Sequence, residues 1–295
     1  MNFIAQGIIL FIYVFHMPLF LFVSGFLSKN VEQERSRAFG NLFIPYILFQ
    51  LLLGISELIL TKQGKALQNL FIPQMGVWYL LTLFSYRLIL PEIRKVRGIL
   101  VLAFILTTFT CLFTEIGNEF ALKKTLGFFI YFIAGYMFKE IPKNRLNKIA
   151  SRLILTVILL MFILISWMTD WYAVALAVLT RGIDANGFDQ WYIAPMIYLI
   201  TFIVTSIICL LVMNALPDKN AFLEKQGKDT MPMYLSHLLL FFAVSFLVPK
   251  NNWIIIIIIS IISIIFCLIA FYSNGYRNFF NKILYRIKKI VLIEA

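Results

Sequence analysis

Phe15-His16-Met17-Pro18-Leu19-Phe20-Leu21-Phe22-Val23-Ser24-Gly25-Phe26-Leu27 is an apolar, phenylalanine-rich run with one imidazole inside it. With the apolar residues before it, the run covers roughly residues 5–28, long enough for the ~20 residues that cross a bilayer. His16 would then sit deep in hydrocarbon, where an ionisable group is costly and is a functional-site hypothesis by default. The competing reading is a histidine held by a neighbouring helix. Ser24-Gly25 reads first as a small pair that lets two helices approach closely. A serine nucleophile is the sharper alternative.

The whole chain agrees with that reading. Its 295 residues are 61% hydrophobic and 14% charged, with a mean hydropathy of +0.90, which describes an integral membrane protein. The net charge of +12 implies basic loops on the cytoplasmic side, not a nucleic-acid partner. Cys111, Cys209 and Cys267 lie in apolar runs without paired spacing, so neither a disulfide nor a metal site is expected. The first apolar run lacks a basic leader and a small-residue cleavage site, so it reads as a span.

Nine spans are expected, at roughly 5–28, 41–60, 76–91, 98–114, 125–139, 150–168, 192–214, 230–249 and 253–273. The fold class is therefore all-α, a multi-pass transmembrane helix bundle. With the first residue outside, 20 of the 26 lysines and arginines fall on the inner side, and the positive-inside rule selects that orientation with a cytoplasmic C-terminus. Trp78, Trp167, Trp171, Trp191 and Trp253 then fall at outer span ends or in the outer loop, as an aromatic belt or a platform for sugar rings. The outer loop Thr169 to Gln190 is expected to lie on the membrane as a connector or a lid. Residues 1–275 form one membrane domain, and 276–295 a basic amphipathic cytoplasmic tail. In that tail Phe279, Phe280, Ile283, Leu284, Ile287 and Val291 are expected to face lipid, with Arg277, Arg286 and Lys289 toward head groups. Nine spans leave the termini on opposite sides. A tenth in front would put both inside, so a helix is expected to precede Met1 in the complete protein.

Only two histidines are present, His16 and His237, and both lie within spans. A neutral imidazole is a natural general base for a hydroxyl attacking a thioester. Neither sits in a zinc pattern, and the chain carries no nucleophile elbow, phosphate loop or dinucleotide fingerprint. Glu57 lies near the outer end of the second span, where it snorkels or faces an aqueous funnel. Arg35 and Arg37, in Glu32-Gln33-Glu34-Arg35-Ser36-Arg37, are ordinary positive-inside residues or a phosphate-binding pair.

The run around His16 resembles the second membrane helix of the acyltransferase-3 family, most closely its fucose 4-O-acetylase-like branch. The likeness continues in order along the chain. It passes through Asn41-Leu42-Phe43-Ile44-Pro45-Tyr46, Val77-Trp78-Tyr79-Leu80-Leu81, Ala134-Gly135-Tyr136, and Gly227-Lys228-Asp229-Thr230 followed by Tyr234-Leu235-Ser236-His237. Each motif alone is weak; their order and spacing are specific. The family has ten helices, and the nine here are similar to its second to tenth. The family's first helix, with an Arg and then its usual His base, is not matched.

The resemblance implies a plasma-membrane enzyme, and the Ile-, Phe- and Lys-rich usage fits an AT-rich bacterial genome. The enzyme would move an acetyl group from acetyl-CoA to a hydroxyl of a cell-surface polysaccharide or a lipid-linked sugar, with no bound cofactor. By matching position, His16 and His237 are the expected catalytic pair, with Arg35 and Arg37 on the donor. Ser24, Trp78 and Tyr234 line the acceptor site or support it. The alternatives are an inactive truncated membrane protein and a carbohydrate-lipid transporter. The transporter reading predicts internal repeats and several charged mid-span residues, whereas the sequence shows no repeat and few mid-span charges.

Overall fold

The computed structural model describes residues 3–62, 70–112, 119–139, 147–168, 192–217, 230–247 and 272–291, with a few residues between these stretches. Among them every regular element is helical. In chain order they are α1 (Phe3–Leu27), α2 (Val31–Ala38), α3 (Ile44–Thr61), α4 (Trp78–Ile93), α5 (Ile99–Phe109), α6 (Leu122–Gly127), α7 (Phe129–Met137), α8 (Lys148–Met168), α9 (Ile193–Ala215), α10 (Met231–Leu247) and α11 (Asn274–Val291). A π-helical turn, Phe39–Phe43, joins α2 to α3, and a 3-10 turn, Met75–Val77, leads into α4.

Four helical stretches are long and apolar enough to cross a membrane: Phe3–Leu27, Val31–Leu60, Lys148–Met168 and Ile193–Ala215. The expected spans at 76–91, 98–114, 125–139 and 230–249 correspond to shorter or interrupted helices. Most of the expected span 253–273 and the whole loop Thr169 to Gln190 lie outside the described residues, as do Trp171, Trp191 and Trp253.

The chain forms two compact units, 1–36 with 85–218 and 37–84 with 219–295. In the first, α1 is the central helix, packed on α7, α8 and α9. Its buried face is Gly7, Leu10, Val14, Pro18, Leu21 and Gly25, a helical stripe at spacings of three and four. Two glycines make the α1–α7 crossing close. A Cβ on Gly135 would lie 2.7 Å from the carbonyl carbon of Phe22, and one on Gly25 would lie 2.9 Å from that of Phe132. The contact is reciprocal, so each glycine faces the other helix's backbone. Small residues at such crossings provide most of the packing between membrane helices, because lipid is as apolar as leucine.

Pro18 cannot donate to the carbonyl of Val14. The Thr205 hydroxyl of α9 donates to that oxygen at 3.2 Å, and Cys209 Sγ lies 3.7 Å from the next carbonyl, Phe15. A neighbouring helix thus compensates the proline, which makes a mid-span break tolerable. The interruption between α6 and α7 is handled the same way. The carbonyls of Thr125, Leu126 and Gly127 accept from Tyr86, Thr107 and Tyr198, on α4, α5 and α9. Tyr86 is fully buried.

In the second unit the chain leaves α3 at Thr61, and by Leu70 it is back beside the beginning of that helix. Tyr46 Oη donates to Leu70 O at 2.7 Å, and Gln50 Nε2 donates to Ile72 O at 2.9 Å. Gln50 Oε1 accepts from the Gln74 N–H at 3.0 Å, and Gln74 Nε2 donates to Glu57 at 3.2 Å. Tyr46, Gln50, Leu53 and Glu57 share one face of α3. Residues 70–74 therefore run along that face as a re-entrant arm. Non-helical backbone at membrane depth persists only where protein satisfies its polar groups. Here the Gln50 side chain pairs with the arm as a neighbouring backbone would.

α11 packs on the same unit. Phe280 stacks with Phe49 at 5.9 Å between ring centroids, Tyr276 Oη meets Ser236 Oγ, and Lys288 Nζ donates to Asn41 at 2.8 Å. Arg277 and Leu284 are buried. The lipid-facing stripe expected from sequence is corrected accordingly. Phe280 and Leu284 face protein, Arg277 is withdrawn from the surface, and Phe279, Ile283, Ile290 and Val291 are turned outward. Protein and lipid are alike to an apolar side chain, so periodicity alone could not separate the two faces.

Candidate functional site

His237 lies on α10, one turn after Tyr234. Its Nδ1 is 3.3 Å from Met233 O, the carbonyl four residues earlier. That oxygen can only accept, so it selects the Nδ1–H tautomer and leaves Nε2 as the basic nitrogen. The Tyr234 ring lies 5.5 Å from the imidazole and 5.6 Å from Tyr79, and Tyr79 lies 6.4 Å from Trp78. Tyr234 Oη donates to Gly76 O at 2.5 Å. That bond joins α10 to the end of the re-entrant arm. The second unit thus brings together three residues singled out from sequence, Trp78, Tyr234 and His237.

The arm adds a polar side to this aromatic group. Gln74 and Glu57 are hydrogen-bonded to each other, and Gln50 is completely buried behind them. Gln50, Gln74 and Tyr79 were not among the residues selected from sequence. A signal for part of this set was present. Tyr46, Gln50 and Glu57 place three polar groups on one face of an otherwise apolar helix, a pattern that membrane helices reserve for a packed or aqueous side.

His16 belongs to the first unit and is half-buried. Its Nδ1 is 3.0 Å from Ile12 O, so it adopts the same tautomer as His237 for the same reason. Tyr13 and Phe20 flank it, with ring centroids 4.9 Å and 6.5 Å away. It lies about 200° around α1 from Val14 and from Pro18, so it turns away from the buried stripe of that helix. Ser24 accepts through its carbonyl from Ser28 Oγ at 2.7 Å, beside the Gly25 crossing.

Beyond α1 the first unit carries a charged cluster. Lys29 Nζ donates to the carbonyls of Tyr136 and Phe138 at the end of α7, with its ammonium over the rings of Phe26 and Tyr136. A cation there suits the negative end of the helix dipole. Desolvation holds its pKa below the usual lysine range. Glu34 pairs with Arg87 at 2.9 Å, Glu32 with Arg94 at 3.4 Å, and Glu92 with Lys95 at 2.7 Å. The Lys95 hydrogen bond lowers the Glu92 pKa first, with smaller contributions from the charges of Lys95, Arg35 and Arg94.

Arg35 and Arg37 are exposed on α2. Two residues apart on a helix, they project about 200° from each other. On the eight-residue α2 the two side chains leave the helix from different sides. Arg35 lies near the Glu92 carboxylate, which it helps to keep ionised.

Comparison with protein families finds a match to a model described as an acyltransferase domain, over residues 1–272. Neither a curated protein nor a solved structure matches the chain.

Proposed function

The chain belongs to acyltransferase family 3, and on that footing we propose that it moves an acetyl group from acetyl-CoA to a hydroxyl of a cell-surface polysaccharide or of a lipid-linked sugar precursor. The observation that carries the reading beyond the family is the imidazole of His237, held as the Nδ1–H tautomer at the edge of the Trp78, Tyr79 and Tyr234 group.

In this reading His237 Nε2 takes the proton of the acceptor hydroxyl as its oxygen attacks the thioester carbonyl. The C–O bond forms, the C–S bond breaks, and the departing thiolate recovers the proton from the imidazolium. The products are the O-acetyl ester and free coenzyme A. A positioned base of this kind contributes about 10²–10⁴-fold to rate. The aromatic group offers flat apolar faces to a sugar ring. Glu57 and Gln74 supply hydrogen-bonding edges of the sort a polyhydroxylated acceptor requires. His16, with the same tautomer, is the second candidate for orienting or deprotonating the acceptor. Arg35 and Arg37 would meet the donor phosphates separately, one from each side of α2, as Arg does so well.

The test is transfer of radiolabelled acetate from acetyl-CoA to envelope carbohydrate in membranes carrying the wild type, His16→Ala or His237→Ala. Loss of transfer in His237→Ala, with the protein still inserted and folded, is the expected result. Undiminished transfer in both variants would remove the histidines from the chemistry.

A further inference from the structure

Seen down its axis at about 100° per residue, α11 has four successive faces. Tyr276, Phe280, Leu284, Ile287 and Lys288 form the side turned to the second unit, and all are at least half-buried. Next comes an apolar strip of Phe279, Ile283 and Ile290, with exposures of 63%, 39% and 84%. Beside that strip run Lys282, Arg286 and Lys289, all exposed, and then Asn278, Tyr285 and Asn281. The helix has no acidic residue between Asn274 and Val291. Its inner side touches Phe49 in the first half of α3 and Asn41 in the π-helical turn just before that helix.

The order of the faces matters more than the composition. The protein-facing side gives way to apolar, then basic, then neutral polar residues. A side chain on the apolar strip has protein on one flank and cations on the other. Of the five basic residues, Arg277 is bonded to Asn274 at 2.6 Å and Lys288 to Asn41. Burial pushes the Lys288 pKa down. The remaining three share the strip's open flank. A polar helix that merely closed the bundle would have no use for three exposed apolar side chains in line with a cationic row.

We propose that α11 is a built site for anionic phospholipid. Phe279, Ile283 and Ile290 would enter the acyl boundary of the leaflet, while Lys282, Arg286 and Lys289 hold its head groups. Charge complementarity selects this occupant, since a row of cations next to an apolar strip matches the anionic head group and chain of one lipid. The proposal rests on the membrane character of the chain and not on its acyl-transfer chemistry.

The experiment places the photo-crosslinking residue benzoyl-phenylalanine at position 279, 290 or 285 of the whole chain, in nanodiscs containing fluorescent phosphatidylglycerol. Adducts of labelled lipid are expected at 279 and 290 and few at 285, on the far side of the basic row. In the K282Q/R286Q/K289Q background, adducts at 290 should fall by about five-fold or more. Replacing the labelled lipid with phosphatidylcholine should lower the yield similarly. Equal yields at all three positions would overturn the proposal. So would adducts to a second protein chain, or yields indifferent to the charge of the lipid or of the helix.

Discussion

The reciprocal contact between Gly25 and Gly135 allows a stability change to be worked from distance alone. Carbon atoms sit comfortably at about 3.5–4.0 Å, whereas a Cβ on Gly135 would meet the Phe22 carbonyl carbon at 2.7 Å and its α-carbon at 3.0 Å. Backbone cannot swing aside as a side chain does, and the Phe22 carbonyl oxygen lies nearer still, so α1 and α7 must part by at least about 1 Å. A gap of that size forfeits about a quarter to a half of each dispersion contact along the crossing. Overpacking of this kind costs about 1–3 kcal/mol. Alanine's better helix propensity offsets up to about 1 kcal/mol of it. We expect Gly135→Ala and Gly25→Ala each to lower stability by about 1–2 kcal/mol, or some 2–8 °C in apparent Tm. Gly127 supplies the control, because nothing lies within 4 Å of its added Cβ, and Gly127→Ala should be neutral or slightly stabilising. The double variant should lose less than the sum of the two, since the first substitution already separates the helices. The assay is a thermal melt of detergent-solubilised protein followed by size-exclusion chromatography. Gly25→Ala and Gly135→Ala melting with the wild type would refute the close crossing.

Other contacts give expectations of the same kind. Thr205→Val should destabilise by about 1–2 kcal/mol by stranding Val14 O. Pro18→Ala should shrink that loss by restoring the N–H, and a melt in which the two effects simply add would contradict the pairing. Tyr86→Phe strips the donor from Thr125 O at a buried helix break, so a loss of about 1–3 kcal/mol is expected in the same melt. Glu34→Gln and Arg87→Met should each cost about 1–2 kcal/mol, with the double variant less harmful than the sum, because the pair is only partly open to solvent. Independence of the two substitutions in a double-mutant cycle would show that the pair carries no coupling.

The sequence made the helices visible because lipid demands long apolar runs, and α1, α3, α8 and α9 meet that demand in full. It also made His16 and His237 stand out, since a titratable group in such a run has few ordinary reasons to be there. Tertiary partners were less legible. The Val14 carbonyl is freed by Pro18, which is a local fact. That Thr205 answers it, across nearly two hundred residues, is not. The re-entrant arm was hidden for a related reason. Residues 70–77 hold no regular repeat, and their order comes from Tyr46, Gln50 and Tyr234 on other elements. In α11 the hydrophobic period was plain, but which apolar residues met protein and which met lipid was decided by packing.

Acyl transfer itself is the most direct test of the account. Purified protein in proteoliposomes would receive radiolabelled acetyl-CoA and a carbohydrate extract of the cell envelope, alongside a His237→Ala preparation of matched folding. The account predicts labelled ester in the carbohydrate fraction with wild type, released by mild alkali, and a loss of about 10²-fold or more with the variant. Labelled ester formed equally by both preparations would contradict the role of His237. No ester above background with wild-type protein would contradict the acetyl-transfer reading as a whole.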